Sequence, residues 1–191
     1  EHDQKRLQLL RRAFYFKSNL PITKAIQGQI RQWRYKELKL IVKNWGWSYT
    51  YLRHLDNKEE WQIHEVQAER NALVNEMLTS YRYIAAFSEK YAKNVDINRQ
   101  DLTLLGNQLY AIYDAKPGKV LTINPSISPS LIQERLSLVY TNENRWQLIA
   151  GIYSKELDQR AIKQSNSLIE LLCYAHFNDL LNSQTHFAIF P

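Results

Sequence analysis

NKEEWQIHEVQAERNALVNEMLTSYRYIAAFSEKYAK, residues 57–93, is the stretch on which the fold turns. No Pro or Gly interrupts it. At 100° per residue Ile63, Val66, Leu73, Val74, Met77, Tyr81, Ile84 and Tyr91 fall on one stripe, which predicts a single amphipathic helix. Asn57 with Glu60 three residues on has the form of a capping box, and the acidic Glu59 and Glu60 suit the positive end of a helix dipole. At 1.5 Å per residue the helix is a rod of roughly 50 Å, long enough that other elements must line up along it. Arg70 falls on the apolar stripe, so either its stem packs while its head reaches water, or it meets a carboxylate.

On the N-terminal side, residues 3–17 read as a helix with Leu7, Leu10 and Phe14 at i, i+3, i+7 and Leu9, Ala13 and Phe16 beside them,. Pro21 ends that element and Thr23 is placed to cap the next, which runs to Asn44 with Ile26, Ile30, Trp33, Leu38, Leu40, Ile41 and Trp45 on one half of its wheel,. Gly46 suits a left-handed helix end, and Ser48 can cap a short helix through Leu55.

On the C-terminal side Arg99–Ala115 is helical, and then the period changes. Lys116-Pro117-Gly118-Lys119 has Pro and Gly where a type II turn wants them. Val120–Ile123 is strand-like, Leu136–Thr141 and Trp146–Tyr153 form a hairpin about Asn142–Arg145, Ser165–Asn182 is a helix apolar on more than one side, and Thr185–Phe190 is a last strand,. The expected class is therefore α+β: a mainly helical part, 1–115, then a small mixed sheet with one packed helix, 116–191. The two parts are expected to form one cooperative unit, cut from a longer chain that begins before Glu1 and continues past Pro191.

Composition narrows the chemistry. No apolar run approaches the ~18 residues of a membrane span, and one cysteine, Cys173, excludes an internal disulfide and fits a reducing, cytoplasmic setting,. The net charge of +6 is uneven: Lys5 to Arg53 holds twelve Lys or Arg against Glu37 alone, while the remainder is slightly acidic,. Arg31, Arg34, Lys36, Lys39 and Lys43 are a candidate basic contact surface, and Glu65, Glu69 and Glu76 an acidic strip that could answer it. Lys116, Gly118 and Lys119 are a candidate anion-binding turn, although a plain structural turn explains them as well. The five His are scattered, no Asp-x-Asp occurs and no Gly-rich phosphate cradle is present, so no catalytic, cofactor-binding or metal residue is nominated,.

Several strings carry more. Leu9-Leu10-Arg11-Arg12-Ala13-Phe14-Tyr15-Phe16-Lys17, Trp45-Gly46-Trp47, Leu55-Asp56-Asn57 with Trp61, Ser80-Tyr81-Arg82, Leu109-Tyr110-Ala111, and Lys116-Pro117-Gly118-Lys119-Val120 with Asn124-Pro125-Ser126-Ile127-Ser128-Pro129 stand in this order. Together they resemble the central region of the bacterial class I adenylate cyclases, from about Leu7 to Phe190. The resemblance implies a parent enzyme that converts ATP to 3′,5′-cyclic AMP and pyrophosphate with a divalent metal such as Mg. It also implies that the Gly-Ser and Asp-x-Asp catalytic motif lies N-terminal to the matched region, leaving this segment as an inactive scaffold or relay between catalysis and control. The implied partners are the catalytic domain of the same chain and the glucose-specific phosphocarrier protein of the sugar phosphotransferase system. The alternative reading, from residues alone, is a helical nucleic-acid- or protein-binding module with a basic face and no enzyme activity. Nucleic acid is not the expected partner, because the aromatics of the basic helices lie mostly on their apolar side.

Overall fold

Trp61 decides where the long helix begins. Its indole N–H donates to the His54 carbonyl at 2.9 Å and its ring meets Phe16 edge-on at 5.9 Å. Held there, the chain makes one 3₁₀ turn, Lys58–Glu60, and only then starts α4 (Ile63–Tyr91). The expected start at Asn57 is corrected accordingly. Asn57 Nδ2 donates to Glu60 Oε2 at 3.2 Å, but the helical cap is made by Glu65, whose Oε2 accepts the Gln62 amide at 2.6 Å,.

This computed structural model describes residues 2–24, 32–91, 98–114, 116, 118–123, 128 and 131–191. The expected helix end at Lys93, the expected helical turns over 25–31, and the loop residues 124–127 lie outside them. The chain divides into two compact units, Glu1–Trp61 and Gln62–Pro191.

The first unit holds α1 (His2–Ser18), α2 (Gln32–Asn44) and α3 (Tyr49–Asp56). Gly46 at φ +72° ends α2, and the Ser48 hydroxyl accepts the Tyr51 amide at 3.2 Å to open α3, both as expected,. Aromatic edges close the unit: Phe14 on Trp45 and Tyr15 on Trp47, each at 5.8 Å, and Trp47 on Tyr51 at 5.1 Å,. Leu9, Tyr15, Leu38, Val42, Leu52 and Leu55 are buried among them.

In the second unit α4 lies against α5 (Arg99–Tyr113), and the approach is closest at Tyr81 and Gly106. A Cβ built on Gly106 would overlap the Tyr81 hydroxyl and stand 2.5 Å from its Cζ, so only glycine lets the phenol lie across α5,. The sheet is mixed, in the order β3-β2-β1-β4, from β1 (Arg135–Thr141), β2 (Arg145–Ala150), β3 (Lys163–Ser165) and β4 (His186–Phe190). β1 and β2 are the expected hairpin, turning at Asn144 with φ +57°, and β4 runs parallel to β1. Leu138 faces Leu148 on one side and Ile189 on the other. The helix α6 (Leu168–Phe177) packs on β2 and β3, burying Leu171, Tyr174 and Ala175.

Two strand assignments change. Val120–Ile123 is no strand: the buried Asn178 takes the place of a partner, its Oδ1 accepting the Ile123 amide at 2.7 Å and its Nδ2 donating to the Leu121 carbonyl at 3.1 Å. Lys163–Ser165 is one, polar and three residues long, too short for an alternation to show. α6 is also shorter than Ser165–Asn182, because Ser165 belongs to β3 and Asp179 turns to φ +55°.

Candidate interaction surface

On α1 the buried side is set by Leu9 and Tyr15, which leaves the periodic stripe facing out: Leu7, Leu10 and Phe14 are 40%, 55% and 50% exposed. The reason lies at the ring contacts. Tyr15 is drawn in by Trp47 and by a carboxylate, and burying Tyr15 turns the i, i+3, i+7 row away,. α2 behaves alike, with Leu38 and Val42 inside and Trp33 60% exposed. Between the two helices runs an open groove of about 380 Å³. Phe14 and Trp33 are its aromatic sides, Leu20, Leu38 and Ile41 its apolar lining, and Lys17, Arg34 and Glu37 its polar groups.

Beneath this surface lies a polar knot. The Tyr15 hydroxyl donates to Asp56 Oδ1 at 2.6 Å, while Asp56 Oδ2 accepts the Thr23 amide and the Thr23 hydroxyl, both at 2.7 Å. Tyr15 Oη in turn accepts the Ile22 amide at 3.1 Å, and the Tyr35 hydroxyl donates to the Ile22 carbonyl at 3.1 Å. Asp56, at the end of α3, thereby ties the Ile22–Thr23 segment to α1, while the helical turns that Thr23 is expected to cap lie outside the described residues. Burial pushes the Tyr15 phenol well above its ordinary value, and the hydrogen bond to Asp56 adds to the rise,. Beside the knot a smaller hollow of about 200 Å³ is lined by Asp56, Lys58, Lys24 and Glu59 among others. Lys24 is paired with Glu59 and holds that carboxylate below its usual range.

Of the residues nominated from sequence, Arg34, Lys36, Lys39 and Lys43 are exposed on α2 and Arg31 lies outside the described residues. They do not form one patch: Arg34 opens on the groove, whereas by helical spacing Lys36, Lys39 and Lys43 project from the opposite side of α2,. Glu65, Glu69 and Glu76 are on α4 in the other unit, where Glu76 accepts the Ser80 hydroxyl at 3.0 Å. At the expected turn the Lys119 amide donates to the Lys116 carbonyl at 3.1 Å with Gly118 at φ +75°, as a type II turn requires,. The Lys119 ammonium reaches back to the carbonyls of Ala111, Ile112 and Asp114 at 2.6, 3.0 and 2.8 Å. Its charge therefore serves the negative end of α5. Arg70 is half-buried with its head at the surface, where Nε donates to the Thr122 carbonyl at 2.9 Å and the guanidinium lies over the Tyr113 ring,.

Sequence reasoning missed three structural residues: Asp56, Gly106 and Asn178. Asp56 and the neighbours of Gly106 (Tyr81 and Tyr110, edge-on at 6.4 Å) fall inside the strings singled out for family likeness, which was the available signal. Nothing in the sequence marked Asn178. Among the described residues no group of three or more His, Cys, Asp or Glu stands close enough to hold a metal ion, and no described helix is long and apolar enough to cross a membrane.

Comparison with known proteins places these contacts. Residues 1–124 match the family model for the second domain of class I adenylate cyclase, and residues 131–191 the model for its third domain. The adenylate cyclases of Salmonella typhimurium (strain LT2) and Escherichia coli (strain K12) are each 34% identical over 196 residues, covering 98% of this chain and 23% of their own length. That of Proteus mirabilis is 31% identical over 192 residues, covering 96% and 22%. The chain thus spans less than a quarter of the length of these relatives. No solved structure matches.

Proposed function

Since the chain belongs to the class I adenylate cyclase family, we propose that it is the central, non-catalytic segment of an enzyme converting ATP to 3′,5′-cyclic AMP and pyrophosphate, a scaffold or relay between the catalytic and regulatory regions. The observation that carries this reading is what the likeness strings do in three dimensions. Phe14 meets Trp45, Tyr15 meets Trp47 and Asp56, Phe16 meets Trp61, and Tyr81 meets Tyr110. They bring helices together, which is a scaffold's work.

ATP and a divalent metal, Mg first, belong to the rest of the polypeptide in this reading. No step of the reaction is assigned to the residues of this segment. The partners are the catalytic domain of the same chain and, as the regulatory input, the glucose-specific phosphocarrier protein; the setting is cytoplasmic.

The test compares the full-length polypeptide with residues 1–191 alone, each incubated with ATP and Mg²⁺ or Mn²⁺ and assayed for cyclic AMP. The full-length protein is expected to turn over and the shorter chain to remain at the blank. Turnover by residues 1–191 that survives repurification overturns the non-catalytic assignment, and a full-length protein that makes no cyclic AMP overturns the enzyme.

A further inference from the structure

We infer that the strip formed by Leu7, Leu10, Phe14 and Trp33, with Lys17 and Arg34 beside it, is the seat of an acidic amphipathic helix from the first domain of the same polypeptide. This rests on the reading just given and adds to it which surface meets the catalytic side, and through what chemistry.

The strip is continuous by construction. Phe14 and Trp33 line one groove, and Leu10 and Leu7 sit one and two turns back from Phe14 on the same side of α1,. Their exposures of 40–60% are high for side chains that could have been turned inward. Inward is where the sequence period alone would have put the α1 row. The buried Tyr15–Asp56 bond holds the opposite rotation, so the outward strip is built into the unit and does not come from loose packing. Soluble surfaces seldom keep a contiguous apolar strip without a partner for it.

The shape and the charge select that partner. A row at i, i+3, i+7 beside a groove between two helices accepts the apolar face of a third helix, whose own ridge enters the groove. Lys17 stands on α1 and Arg34 on α2, against Glu37 as the acidic group of the lining. Carboxylates flanking the incoming apolar face are therefore attracted, and a basic helix is repelled. The source comes with the reading given above: the chain matches the models of a second and a third domain, and in that reading a first domain belongs to the same polypeptide. A tethered partner acts at a high effective concentration and can occupy a modest strip that a free protein would leave empty.

Hydroxyl-radical footprinting read by mass spectrometry tests this on native side chains. Oxidation of Leu10, Phe14 and Trp33 is compared between residues 1–191 alone and the full-length polypeptide, with Ile169, 72% exposed on α6, as reference. The expected result is about tenfold protection of the three in the full-length protein, the ratio that roughly 1.4 kcal/mol of docking gives. Protection should return to the level of the isolated chain in the double variant Lys17→Glu, Arg34→Glu, whose melting is otherwise unchanged. Equal oxidation in both proteins overturns the proposal. Protection that appears in residues 1–191 alone as concentration rises assigns the strip to a second copy instead, and protection that ignores the charge reversal removes the acidic helix. A full-length protein that shows the protection yet makes no cyclic AMP defeats the enzyme reading and leaves the docking intact. Cyclic AMP without protection does the reverse.

Discussion

The two compact units are held by different kinds of contact. In Glu1–Trp61 directed interactions stand out beside the buried leucines: ring edges that meet at set angles, and one buried carboxylate accepting three hydrogen bonds. In Gln62–Pro191 the sheet is filled by Leu136, Leu138, Leu148, Ile149, Leu171 and Leu180, all essentially inaccessible, with side-chain amides serving the backbone at the margins. Aliphatic packing is distributed and forgiving, since neighbours can shift to fill small gaps. A polar knot is less forgiving: removing one member costs the others a directed hydrogen bond that aliphatic neighbours cannot replace. The first unit should therefore fail abruptly at single positions, and the second by degrees.

Asp56→Ala gives the sharpest test of that contrast. It strands the Tyr15 hydroxyl and both Thr23 donors, and the expected loss is about 3–5 kcal/mol. Trp33, Trp45, Trp47 and Trp61 all belong to the first unit and Trp146 alone to the second, so urea unfolding followed by tryptophan fluorescence reads the effect where it occurs. A midpoint that barely moves would mean the rings close the unit unaided.

Asn178→Leu keeps the branching and the number of heavy atoms and deletes the amide that stands in for a strand. The Ile123 amide loses its acceptor, for roughly 2–3 kcal/mol. Hydrogen exchange at Ile123 should accelerate more than at Leu138 or Leu148. Uniform acceleration would show that the substitution weakens the whole sheet, and the contrast between knot and core would blur.

Gly106→Ala comes next, at about 1–3 kcal/mol for overpacking against Tyr81. Combining it with Tyr81→Leu should recover part of the loss, because the hydroxyl and ring edge that the new methyl meets are gone. A double variant no better than the single one would place the cost in the α5 backbone.

The smallest effect is silent at neutral pH. Tyr15 titrates higher in the folded unit than its ordinary value of 10. Above that value the unfolded chain releases the proton while the fold retains it, so stability present below pH ~10 falls as pH rises further. Tyr174 moves the same way through burial, but the hydrogen bond from Gln67 works against it. Alkaline loss should thus be steeper in the first unit, and Tyr15→Phe should flatten it there. A slope unchanged by that substitution would detach the titration from the knot.

Much of the fold could be read in advance because period is a local property. The helices over 99–113 and 49–56, the hairpin about Asn144 and the last strand all follow from spacing, caps and turns. The errors share a cause: a side-chain polar contact, seven to fifty-five residues apart in sequence, overrode the local period. Trp61, bonded to His54, delayed α4; Asn178 replaced a strand partner at Val120–Ile123; and Asp56, by drawing Tyr15 inward, turned the α1 row outward. The candidate surface was legible only as a list of apolar residues, because which way a helix rotates depends on partners up to 41 residues away. The turn at Lys119 was read correctly as geometry, while the destination of its ammonium was not.

The parallel pairing of β1 with β4 has a consequence for how the protein is made. Arg135 meets His186 across roughly fifty residues of chain,, whereas the ring contacts and the polar knot of the first unit close within its own sixty-one residues. As the polypeptide leaves the ribosome, the first unit can finish folding early. The β1–β2 hairpin, by contrast, waits with one backbone edge open until the last strand emerges. Synthesis stalled near Asn182 should yield nascent chains whose first unit resists protease while the hairpin is captured by chaperones, and release of eight more residues should end that capture,. If stalled chains are already resistant throughout, the open edge is shielded by something other than β4.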